Sequence, residues 1–113
     1  MKEIKAYIKP HKLAEVTLAL HQIEGLTGMS VTDGRGFGRS RGKDARYRIV
    51  EGPVAYVPHV RIEVVCHDER VDEIVSIIER TVHTGLRGDG KIYVTNVETA
   101  VRISTGERGE SAV

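Results

Sequence analysis

The stretch Thr84–Val94, TGLRGDGKIYV, sets Gly85, Gly88 and Gly90 around an acid, Asp89, and a lysine, Lys91. Glycine admits positive φ and lets the backbone approach a ligand closely. Successive N–H groups in such a turn can form an anion-binding concavity, and a neighbouring lysine adds a point charge. The same residues serve equally as a tight turn between a helix and a strand. GDGK is not a Walker motif, because it follows a helix and opens a strand.

Three other groups of residues could carry chemistry. From Gly36 to Pro58 the chain reads as one long connection, beginning Gly36-Phe37-Gly38-Arg39 and Ser40-Arg41-Gly42-Lys43. Connections of that length inside a compact domain are usually functional, so the expectation is a flexible loop over about 37–58 that closes on a ligand or partner. A disordered insertion is the bland alternative. Near the end, Arg102 and Arg108 flank Thr105-Gly106-Glu107 and could reach a phosphate, or belong to a solvated tail. Finally, His59, Cys66 and His67 are metal-capable. On one strand, residues 59 and 66 point to opposite faces, as do 66 and 67, so a closed site within one chain is not expected. No nucleophile–base pair or paired carboxylate stands out, and no catalytic residue is assigned. His11, His21 and His83 read as surface or helix-end residues.

The elements that must position these groups follow from periodicity. Ile4, Ala6 and Ile8 alternate on a strand closed by Pro10, and Leu13, Val16, Leu20 and Ile23 stripe a helix that Gly25 stops. Met29 and Val31, with Phe37, mark a second strand. Val60, Ile62 and Val64 mark a third. Val71, Ile74, Val75, Ile78 and Val82 stripe a second helix, and Lys91–Val97 forms a fourth strand. The segment 101–113 is read as a short strand and a polar tail. The order β-α-β-β-α-β is that of an α+β, ferredoxin-like sandwich with both helices on one face of an antiparallel sheet. The other face then needs cover, which a homo-oligomer would supply.

A length of 113 residues suits one domain. Net charge is +1, from 17 basic and 16 acidic residues, so no general field attracts nucleic acid. No apolar run is long enough for a transmembrane helix, and MKEIKAYIKP lacks the apolar core of a signal peptide. A single cysteine excludes an internal disulfide framework and fits a reducing compartment, so a cytoplasmic protein is expected.

Several collinear motifs together resemble the PII signal-transduction proteins, of which the chain looks like a divergent member. They are IKPHKL at Ile8–Leu13, LTGMSV at Leu26–Val31, GFGR at Gly36–Arg39, VRIEVV at Val60–Val65, TGLRGDGKIYV, and RISTGERGE at Arg102–Glu110. The resemblance implies a trimer with an adenine-nucleotide site (ATP, ADP or AMP) in each cleft between subunits. It places Gly88, Asp89, Gly90 and Lys91 around the phosphates, with Gly36, Phe37, Gly38 and Arg39 at the base of the large loop. Gly28, Met29, Ser30, Glu63, Val65 and Thr84 would lie around the adenosine, and Arg102 would come from the adjacent subunit. It implies a regulator rather than an enzyme. Such proteins read nucleotide state, often with 2-oxoglutarate, and set the large loop on a membrane transporter or regulatory enzyme.

The departures from that pattern are specific. The family's uridylylated tyrosine aligns with Gly52, so that modification is not expected, and Tyr47 aligns with a different tyrosine. Ser40 stands where a glutamine usually helps hold magnesium and 2-oxoglutarate, and His59 where a lysine usually pairs with the 2-oxoglutarate carboxylate. Ser104 replaces the second arginine of a pair, leaving Arg102. Preference for ADP or AMP, or weak selectivity for Mg-ATP, is therefore expected, with a weakened 2-oxoglutarate response. Two alternatives stay open: a carbon-linked sensor in which His59 and the loop backbone accept bicarbonate, and a regulator tied to metal efflux through His59, Cys66 and His67.

Overall fold

In a computed structural model, residues 1–38 and 55–113 are described. The elements are β1 (Lys2–Ile8), α1 (Leu13–His21), β2 (Ser30–Gly36), β3 (Val57–Cys66), α2 (Val71–Val82) and β4 (Lys91–Asn96). The strands form one antiparallel sheet in the order β2-β3-β1-β4. The two helical crossovers pack against each other and one sheet face. This is the α+β ferredoxin-like arrangement expected from the sequence.

Alternation decides which residues enter the core. Ile4, Ala6 and Ile8 of β1 and Val60, Ile62, Val64 and Cys66 of β3 are buried, facing Val16 and Leu20 of α1 and Ile74, Ile78 and Val82 of α2. Burying each such aliphatic side chain contributes roughly 1.5–3 kcal/mol, so this single layer between sheet and helices supplies most of the domain's apolar stabilisation. Ile23 joins the core from the turn after α1, where its N–H donates to the Leu20 carbonyl at 3.0 Å. Gly25 follows at φ 88°, the left-handed conformation that ends the helical course. Phe37 lies one residue beyond β2 rather than in it, and is half exposed.

The opposite sheet face carries Glu3, Lys5, Tyr7, Arg61, Glu63, Val65, Tyr93 and Thr95, as the pairings Glu3–Val65, Lys5–Glu63, Tyr7–Arg61 and Lys5–Tyr93 require. No helix among the described residues lies over it. Arg61 Nε sits 3.2 Å from a Glu63 carboxylate oxygen, yet its N–H is not directed at that oxygen and has no hydrogen-bond acceptor among the described residues.

The C-terminal segment differs from the strand expected there. Val101 and Arg108 form an isolated bridge rather than a strand, because the TGERG sequence turns back at once. Arg102 N–H donates to the Glu107 carbonyl at 2.9 Å and Gly106 N–H to the Arg102 carbonyl at 2.7 Å. A short 3-10 turn, Gly109–Ala112, follows. It is tied back to the start of the chain: Glu110 lies 2.6 Å from His67 Nδ1 and 3.4 Å from the Met1 ammonium.

Candidate functional site

The turn between α2 and β4 is built by Asp89. Its carboxylate accepts hydrogen bonds from the Thr84 N–H at 2.8 Å, the Gly85 N–H at 3.2 Å and the Thr84 hydroxyl. Thr84 Oγ1 in turn accepts from Leu86 N–H at 3.1 Å. The Lys9 ammonium lies 3.2 Å from the carboxylate and 3.3 Å from Thr84 Oγ1, and His83 Nδ1 is 3.6 Å from the other carboxylate oxygen. Gly85, Gly88 and Gly90 all take positive φ. At Gly90 an added Cβ would stand 1.7 Å from the Tyr7 carbonyl oxygen, so only glycine lets the turn lie against β1.

Burial would raise the Asp89 pKa, but the Thr84 hydroxyl and N–H, the Lys9 ammonium and the Gly85 N–H outweigh it and hold the carboxyl well below the usual range. A carboxyl whose folded pKa is depressed adds stability above its unfolded pKa, near 4, and that stability is lost as pH falls below it. Asp89→Asn is therefore expected to cost roughly 1–3 kcal/mol at neutral pH. The gap in urea midpoints between the two chains should narrow below about pH 4; a constant gap would remove this role.

Several concavities flank the sheet, and two of them gather most of the candidate residues. The first, of about 550 Å³, gathers Lys9, Gly36, Phe37, Gly38, His59, Gly88, Gly90 and Lys91. The second, of about 630 Å³, gathers Gly28, Met29, Ser30, Glu63, Val65 and Val101. Register shows that they occupy opposite ends of the strands: Tyr7 pairs with Lys91 at one end, and Glu3 with Val65 at the other. Along β3 the step from His59 to Val65 is six residues, or roughly 20 Å at about 3.3 Å per residue.

A family model described as "Nitrogen regulatory protein P-II" matches residues 1–107. The chain belongs to the P-II family. It is 50% identical to the nitrogen regulatory protein P-II of Azospirillum brasilense over 113 residues, covering 100% of both chains. The corresponding protein of Rhodospirillum rubrum is 49% identical, and nitrogen regulatory protein P-II 1 of Escherichia coli 48% identical, each over the full length of both chains.

The residues that the P-II resemblance implies fall into two places. Of those implied for the phosphates and the loop base, Gly88, Gly90, Lys91, Gly36, Phe37 and Gly38 meet in the first concavity. Those implied for the adenosine meet in the second, except Thr84, which lies in the Asp89 hub. Arg102 adjoins the second group through Val101, and its guanidinium is 3.5 Å from Glu107. Asp89 turns its carboxylate into the loop and does not line the first concavity. Arg39, Ser40, Tyr47 and Gly52 lie outside the described residues.

His59 has a fitted seat. Its ring meets Tyr7 edge-on, with centroids 5.3 Å apart, and a Cβ on Gly34 would come within 2.8 Å of Nε2. Gly34 is thus a small-residue slot for the imidazole, which periodicity alone does not reveal. Cys66, by contrast, is buried on the helix side, where burial pushes its thiol up, and His67 faces Glu110. These three residues do not converge, and no group of three metal-capable side chains forms among the described residues.

Proposed function

We propose that this P-II family regulator binds an adenine nucleotide in clefts between neighbouring copies, in a trimer closed through the open sheet face. One observation carries the reading. The two groups of candidate contacts lie at opposite ends of one sheet, too far apart to hold a single nucleotide within one chain. A head-to-tail arrangement sets the phosphate end of one copy against the adenosine end of the next, and repeating that contact closes a ring. Arg102 then belongs with Gly28, Ser30, Glu63 and Val65 in the neighbour's contribution.

The phosphate end has suitable chemistry, with the Lys91 ammonium, backbone at Gly88 and Gly90 able to offer N–H groups, and Lys9 beside them paired with Asp89. With one arginine in place of two, the terminal phosphate of ATP loses a charged partner, so ADP or AMP competes well with Mg-ATP. Bound nucleotide sets the conformation of the loop between β2 and β3, and that loop acts on a partner, in our reading a membrane transporter or an enzyme in the cytoplasm. No helix of the described residues is long and apolar enough to cross a membrane. Titration calorimetry with AMP, ADP and Mg-ATP tests the reading. Measurable affinity for ADP or AMP, comparable with or above that for Mg-ATP, is expected; absence of binding by all three overturns it.

A further inference from the structure

We infer that Lys9 is a positioning residue of the phosphate cradle: it neutralises Asp89 so that an acidic residue can stand in a loop that receives polyanions. The inference rests on the nucleotide reading above. A carboxylate in the GDGK turn is a liability beside a phosphate, since like charges repel across a few ångströms. Here both of its oxygens are engaged, by the Thr84 and Gly85 N–H groups and the Thr84 hydroxyl within the turn and by Lys9 from outside it.

Lys9 is placed to act on both sides. It comes from the end of β1 rather than from the turn, and Pro10 opens a 3-10 turn immediately after it, which fixes its backbone. Its side chain is 18% exposed and reaches across 75 positions of sequence to Thr84, and on to Asp89, bridging β1 to the loop. It also lines the concavity that holds Gly88, Gly90 and Lys91, whereas Asp89 does not. Asp89 instead lines a smaller concavity of about 370 Å³ with His83, Gly90 and Lys91, to which Lys9 does not contribute, so the lysine screens the aspartate from the first concavity only. His83 also approaches the carboxylate, at 3.6 Å, but from a largely solvent-exposed position.

The role has a signature that a simple brace lacks. Lys9→Met keeps the length and apolar stem of the side chain and removes the charge. Its penalty must then grow with the charge of the ligand: small for AMP, on the order of tenfold larger for ADP, and larger again for ATP. Adding Asp89→Asn to Lys9→Met removes the exposed charge and restores most of the discrimination between ligands. Orthophosphate, pyrophosphate and tripolyphosphate, titrated alongside the nucleotides, give the same series without needing the adenosine half of the site. A graded loss rescued by Asp89→Asn supports the inference. An equal loss for all ligands, or no rescue, overturns it and leaves Lys9 as a structural tie. Binding of polyphosphates without nucleotides would sink only the nucleotide reading, and the Lys9 effect would be read on the polyphosphates. Binding of neither by the wild-type chain overturns both.

Discussion

Gly90→Ala will destabilise the fold by on the order of 3 kcal/mol or more. Two costs add. At φ 105° an alanine is strained before any contact is considered, and its Cβ would lie 1.7 Å from the Tyr7 carbonyl oxygen. Backbone cannot yield as a flexible side chain can, so β4 must separate from β1 or the turn must rebuild. Tyr7 pairs with Lys91 in the register of that contact, so Lys91 moves with it and the proposed anion binding should be lost as well. Gly28→Ala is the matched control. Its Cβ meets nothing within 4 Å and no left-handed φ is required there, so stability should stay within about 0.5 kcal/mol. Urea unfolding of the two variants separates the cases; equal midpoints would mean that the turn does not lie against β1 as described.

The second large effect concerns the co-ligand. Adding 2-oxoglutarate is expected to leave nucleotide affinity almost unchanged, where a responsive site would show strong coupling. On the P-II resemblance, Ser40 and His59 stand in place of an amide ligand and a fixed positive charge for that dianion. At about 1.5–3 kcal/mol for each hydrogen bond involving a charged group, the two together cost about 3–6 kcal/mol, or roughly two to four powers of ten in affinity. His59→Lys with Ser40→Gln is expected to recover part of the response. The exchange also removes the edge contact that Tyr7 now makes with the imidazole. Calorimetry of Mg-ATP with and without 2-oxoglutarate measures the coupling, and tight ATP binding strengthened by 2-oxoglutarate in the unaltered chain would refute the prediction.

Periodicity carries the fold because burial follows it closely. Ile4, Ala6 and Ile8 alternate inward, Ile74, Ile78 and Val82 recur at helical spacing, and each pattern has a single consistent partner face. Its failures are local. Phe37 has the composition of a strand residue but follows Gly36, after the last rung paired with β3. The segment 101–113 starts with strand-like alternation, but glycines at 106 and 109 with positive φ reverse it into a hairpin and a 3-10 turn. Candidate contacts can be picked out where types cluster in sequence, as in GDGK and GFGR. They cannot be picked out where residues distant in sequence meet. The Lys9–Asp89–Thr84 hub joins a strand end to a loop, and the Gly34 slot matters only once β2 is registered against His59 on β3. That the two halves of the site lie at opposite ends of the sheet likewise depends on strand register, which sequence leaves open.

The central claim, a nucleotide held between copies, is tested most directly by complementation. Lys91→Glu damages the phosphate end and Arg102→Glu the opposite end, so each homogeneous variant should bind ADP poorly. Coexpressed in equal amounts, the two chains should regain about one quarter of the wild-type sites, wherever an intact phosphate end meets an intact opposite end in a head-to-tail ring. A mixed assembly with no more ADP sites than either variant alone would contradict the account.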